Sequence, residues 1–299
     1  MISNFDSTPA RVSGVEKERI RLARKGLLVF FAMLIPLSML GYVLTMKYPI
    51  FVLFLMWTPG LSSIFTRLLL REGIADISLR VGGRRTLKTL PFILLFPVAI
   101  GLVAYGIAWI TGLVQYVTPD TYIKAPPVVI FLGLLLAQMV VGTSVGLISS
   151  VGEELGWRGY MLTRLIDARV PYPMLTSGII WGLWHLPLMI AGNYYSGPYP
   201  ALSVFLFMIS VTSFCYILGR LRLTTGSVWP AVFLHASWNA VIQNVFDLFS
   251  QGENVLLWTG ESGILVALAL LTAAWFISRR PMSVRRFQRS GHEIKGLDS

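Results

Sequence analysis

The stretch PFILLFPVAIGLVAYGIAWITG, Pro91–Gly112, decides the class of this chain, because none of its residues is Asp, Glu, Lys, Arg or His. As an α-helix at ~1.5 Å per residue it covers a hydrocarbon core of ~30 Å. Working outward, apolar runs of similar length lie at 27–46, 50–70, 128–149, 174–191, 202–219, 226–246 and 261–278. A segment in lipid must satisfy its own backbone hydrogen bonds, so each is expected to be a helix. The chain has 299 residues, of which 55% are hydrophobic and 13% charged, with mean hydropathy +0.69. Soluble domains carry roughly 25% charged residues, so lipid must cover what polar surface cannot. The expected fold is an all-α polytopic membrane bundle of about eight transmembrane helices. Residues 1–26 are read as a cytoplasmic tail, 27–278 as the bundle and 279–299 as a second cytoplasmic tail. The region 128–163 exceeds a simple span. One tilted helix, or a span followed by a short second helix, both fit it.

Basic residues orient the bundle, since cytoplasmic loops retain Lys and Arg. With eight spans, 23 of the 25 basic residues fall on one side, and only Lys47 and Lys124 on the other. Both termini are therefore expected in the cytoplasm. The net charge of +11 is explained by loops facing anionic lipid, and no nucleic-acid partner is expected. The single cysteine, Cys215, excludes a disulfide framework. No cleavage site follows the first apolar run, so a retained span is expected there.

Ionisable groups inside spans are costly and usually functional. Glu153 and Glu154 stand out in Ser149-Ser150-Val151-Gly152-Glu153-Glu154-Leu155-Gly156-Trp157-Arg158-Gly159. Of three histidines, His292 falls in the C-terminal tail, His185 in Trp181-Gly182-Leu183-Trp184-His185 and His235 in His235-Ala236-Ser237-Trp238-Asn239. Glu154 and Arg158 are four apart and share a helix face, so they can pair. Glu153 is rotated about 100° from Glu154 and can point, unpaired, into a cavity. His185 and His235 lie roughly 16 and 14 Å from the cytoplasmic ends of their spans, a matched depth at which they can converge. Taken singly, each has a plain structural explanation. A histidine can be a bundle hydrogen-bond partner, and Glu154–Arg158 a structural pair. Trp157, Trp181, Trp184 and Trp238 can be packing. A Glu, two His and an Asn on three spans exceed what packing requires.

At these residues the chain resembles the CAAX prenyl endopeptidase and bacteriocin-processing (CPBP, Abi) family of intramembrane proteases. The family's Glu-Glu-x-x-x-Arg is matched by Glu153–Arg158, its Phe-x-x-x-His by Trp181–His185 with Trp for Phe, and its His-x-x-x-Asn by His235–Asn239. The resemblance covers roughly 149–240. It implies an endopeptidase acting on a membrane-associated, CAAX-like protein or peptide. Glu153 and His185 would activate water, and His235 and Asn239 would face the oxyanion. Glu154 and Arg158 would support them. Chemistry agrees: a buried carboxylate can take and return a proton, and an Asn amide donates without carrying charge. No cofactor is favoured. The alternative is zinc on Glu153, His185 and His235, a catalytic His₂Glu set, although His-Glu-x-x-His is absent. The other classes weighed are a proton-coupled transporter and a non-catalytic immunity or partner protein. The expected setting is the cell membrane of a prokaryote, with lipid and a membrane-associated peptide as partners and an active site open to the cytoplasm.

Overall fold

The structure, a computed structural model, describes residues 14–80, 83–120 and 124–282. Arg11, His292 and the basic residues from Arg285 onward lie outside the described residues. The chain forms a polytopic helical membrane bundle, as its composition dictates. Its main helices are α1 (Gly14–Lys47), α2 (Val52–Leu70), α3 (Leu90–Ile110), α4 (Pro127–Asp167), α5 (Pro173–Ile190), α6 (Pro200–Thr225), α7 (Trp229–Trp238, continued by a π-helical Asn239–Phe246) and α8 (Ile264–Ser278). Among the described residues, α1 to α6 are long and apolar enough to cross a membrane. Helix α7 continues into its π segment, and α8 is a shorter apolar helix.

Two boundaries differ from the sequence reading. Helix α1 begins at Gly14 rather than near Leu27. Glu16 in its first turn suits the positive helix end, and Arg21 pairs with Glu18 one turn away. The region 128–163 is a single helical passage interrupted by π-helical turns at Gln138–Gly142 and Trp157–Met161. Its surplus length projects past Arg158 into a polar layer.

One end of the bundle is a web of ion pairs. Asp76 receives Arg67 Nη1 on Oδ1 and Arg164 Nη1 on Oδ2, both at 2.6 Å. Arg164 also pairs with Glu72 at 2.6 Å, and Arg222 donates to the Asp76 carbonyl at 2.7 Å. Trp229 donates to Leu79 O, Arg19 pairs with Asp167 and Arg220 caps Arg280 O. Among the described residues, the opposite end carries no such cluster of basic residues. There β1 (Gln115–Tyr116) pairs antiparallel with β2 (Ser250–Gln251). Tyr105 and Tyr195 both donate to Asp247, and Ser262 donates to Tyr195 O.

Close approach of α2 to α4 fixes the depth of the acidic motif. A Cβ on Gly152 would stand 2.7 Å from the Trp57 ring, and one on Gly156 2.4 Å from the Pro59 backbone. Trp57 Nε1 donates to Ile148 O across the same seam.

The Asp76 web makes a stability prediction. Burial alone would raise the Asp76 carboxyl, but Arg164 and Arg67 outweigh it and hold it below the usual carboxylate range. A depressed carboxylate contributes stability above its unfolded pKa of about 3.9 and loses it as pH falls through the folded value. Thermal unfolding in detergent should therefore be insensitive to this group from about pH 7 to 5 and weaken below about pH 4. Asp76→Asn should cost on the order of 3–5 kcal/mol at neutral pH, by stranding buried guanidinium groups, and should flatten the acid limb. An unchanged melting temperature in Asp76→Asn would count against the web as a fastening.

Candidate active site

Helix α4 delivers two adjacent carboxylates to different partners. Glu154 is fully buried and accepts from Arg158 Nη1 at 2.7 Å and from His235 Nδ1 at 2.9 Å, both on Oε1. Glu153, 2% exposed, is turned away by the ~100° helical step. Its Oε2 accepts from Trp181 Nε1 at 2.8 Å and from Trp157 Nε1 at 3.4 Å. Glu153 is thus not unpaired, as the spacing suggested. Glu154 is more than a partner for Arg158, because it also orients one of the two histidines.

Trp181 is the hub of the site. Its indole N–H holds Glu153, and Arg158 lies over its ring at 4.3 Å. The His185 and His235 rings lie 5.6 and 5.2 Å from it. A phenylalanine here could stack but could not donate to Glu153, so the Trp-for-Phe departure adds a bond. Packing does not exhaust the other tryptophans either: Trp184 donates to Ser38 Oγ and Trp238 to Glu261.

Second contacts set the histidine tautomers. His185 Nδ1 lies 2.8 Å from Trp181 O. A carbonyl only accepts, so Nδ1 carries the proton and Nε2 is left as an acceptor. His235 Nδ1 faces a carboxylate and likewise carries its proton, leaving Nε2 for a ligand. Asn239 opens the π-helical segment of α7, one turn beyond His235, where Gln243 Nε2 reaches its Oδ1 at 3.5 Å.

Glu153, His185, His235 and Asn239 all line one cavity of about 150 Å³. Glu154 and Arg158 lie behind it. A water needs about 10–15 Å³ of such space, so the cavity holds on the order of ten waters or a short peptide segment. The walls are mainly apolar, with Leu55, Leu188, Phe207 and Phe214 among them. Its outer lining comes from Val52 at the start of α2, Tyr194 after α5 and Glu261 before α8. All three belong to the end of the bundle opposite the ion-pair web.

Glu261 was missed in the sequence, where it reads as the polar edge of the last apolar run. It is 8% exposed and accepts from Tyr194 Oη at 2.6 Å, Trp238 Nε1 at 2.9 Å and Gln243 Nε2 at 3.0 Å. Through Gln243 it braces Asn239. An acidic residue so close to an apolar run was a visible signal, but Trp258-Thr259-Gly260-Glu261 has no helical spacing to tie it to the other motifs.

The zinc alternative can be tested on the donor groups. Among the described residues, no three His, Cys, Asp or Glu side chains stand close enough to hold a metal ion. One oxygen of Glu153 is also occupied by indole donors. Glu153, His185 and His235 do not fit a metal shell in this arrangement.

Residues 133–241 match the family model described as type II CAAX prenyl endopeptidase Rce1-like, the resemblance that the three motifs suggested. Among curated proteins, "CAAX prenyl protease 2" of Methanococcus maripaludis is 40% identical over 50 residues, 16% of this chain. The match spans 18% of that relative's length.

Proposed function

We propose that this chain is an intramembrane endopeptidase of CAAX type that cleaves a membrane-associated peptide in the cell membrane of a prokaryote with a water activated by Glu153. The observation that carries this reading is the convergence of Glu153, His185, His235 and Asn239 on one cavity, on three helices within the Rce1-like segment.

The geometry supports a division of labour. Water entering the cavity can donate to the free Glu153 oxygen and to His185 Nε2. As the water oxygen attacks the scissile carbonyl, Glu153 takes its proton and later returns it to the leaving amine. His235, held by Glu154 at Nδ1 and donating from Nε2 when that nitrogen carries a proton, and Asn239 through its amide N–H face the developing oxyanion. The indole donors fix the Glu153 rotamer, and Glu154 and Arg158 fix His235. The reaction proposed needs no metal, a reading supported by the spread of the candidate ligands.

Comparing peptide termini in membranes from cells with the wild-type chain or Glu153→Gln tests the proposal. New termini that arise in membrane-associated proteins only with the wild type are expected. Identical termini in both would refute the peptidase reading. Zinc bound stoichiometrically to the purified chain, and lost in both His185→Ala and His235→Ala, would refute the metal-free mechanism.

A further inference from the structure

Helix α6 presents different faces to two hollows. Phe207, Val211 and Phe214 line the cavity that holds Glu153 and the two histidines. On another face, Phe205, Ile209 and Tyr216 form the floor of a second hollow, of about 590 Å³. Its walls are Ile179 of α5 and Leu271 and Trp275 of α8, two helices that both pack on α6. From Phe205 to Tyr216 the floor rises roughly 16 Å, close to half of a ~30 Å hydrocarbon core. The groove is therefore about one leaflet deep, and it is apolar along most of that depth.

Its end toward the Asp76 web is cationic. Arg220, one turn beyond Tyr216, donates from Nη1 to the Tyr216 hydroxyl at 3.4 Å. Its Nη2 donates to the carbonyls of Arg280 at 2.8 Å and Pro281 at 3.5 Å. Arg279, the first residue past α8, lies over the Trp275 ring at 4.9 Å. Elsewhere at this end arginines meet carboxylates, as Arg67, Arg164 and Arg169 do. Among the described residues, Arg220, Arg279 and Arg280 make no ion pair with a carboxylate. Neutral carbonyls do not balance the charge of Arg220, which is only 9% exposed, and a buried charge without a counter-ion is costly.

We propose that this groove binds an anionic phospholipid, with its phosphate on Arg220 and Arg279 and an acyl chain laid along α6 between α5 and α8. An apolar hollow accepts the chain of any lipid, whereas the guanidinium groups at its end select the headgroup. Basic pockets between helix ends bind anionic headgroups, and a guanidinium can meet a phosphate with two parallel N–H bonds. Tyr216 accepts from Arg220, so its own hydroxyl hydrogen can be donated to a phosphate or ester oxygen. A second copy docked symmetrically through this face would instead bring like arginines together. The groove and the Glu153 cavity share no lining residue, so the proposal stands apart from the peptidase reading.

Native mass spectrometry of the full chain tests it, after delipidation in mild detergent and titration with phosphatidylglycerol or phosphatidylcholine of the same acyl chains. The wild type should bind one phosphatidylglycerol more tightly than any phosphatidylcholine. Arg220→Gln combined with Arg279→Gln should bind that molecule on the order of 10-fold more weakly. Arg24→Gln combined with Lys25→Gln, an equal loss of charge on α1, should bind it as the wild type does. Leu271→Trp, which fills the groove and keeps the charges, should also lose the tight molecule. Equal binding of the two lipids by the wild type, or equal losses in both charge variants, would overturn the proposal. So would a dimer that dissociates in Leu271→Trp, since a second copy would then be the occupant. Arg279→Gln alone leaves the Arg220 bonds to Arg280 and Pro281 in place and decides the case should the double variant not fold. Phosphatidylglycerol should raise the melting temperature of the wild type and raise that of Arg279→Gln less, and an equal rise in both would overturn the site.

Discussion

Glu153→Gln should abolish cleavage and leave the protein folded and abundant. The amide keeps the shape of the carboxylate and can still accept from Trp181 Nε1, so the packing around it survives. What it loses is the ability to take a proton from water, worth on the order of 10²–10⁴ in rate. Glu154→Gln should behave differently. Glu154 neutralises Arg158 and orients His235 from one oxygen, with all three side chains at most 5% exposed. Its neutral replacement strands a buried guanidinium, a loss on the order of 3–5 kcal/mol when one partner of a buried pair is removed, and frees the His235 ring. Lower abundance or thermal stability should therefore accompany lower activity. Equal, purely catalytic losses in the two variants would contradict this separation of roles.

Asn239→Ala should reduce turnover by on the order of 10²–10³, the usual effect of removing one oxyanion donor. Little of that should appear in substrate affinity, because the bond strengthens only as charge develops on the oxygen. His235→Asn should keep measurable activity, since an amide also donates, whereas a histidine that bound a metal would not be replaced in this way. Turnover and KM measured on the same preparations separate these cases. A loss confined to KM in Asn239→Ala would remove Asn239 from the oxyanion site.

Much of this was legible before the structure. Helix class follows from apolar runs such as Pro91–Gly112, because backbone in lipid has no alternative. The opposed aims of Glu153 and Glu154 follow from a single helical step, and the Glu154–Arg158 pair from its spacing. Other features were illegible because they are tertiary. His235 Nδ1 meets Glu154 across 81 positions of sequence, and no periodicity reports that. The indole bond to Glu153 depends on where α5 lies against α4. Glu261 reaches the cavity from a loop, where the helical rules that relate neighbours do not apply.

The most direct test of Glu153-activated hydrolysis is turnover by purified Glu153→Gln in lipid discs, on a peptide whose cleavage by the wild type has been mapped, in water enriched in heavy oxygen. The wild type should place one heavy oxygen in the new carboxyl terminus and Glu153→Gln should form no product, while melting at the wild-type temperature. Cleavage by Glu153→Gln at the wild-type rate would contradict the role assigned to Glu153.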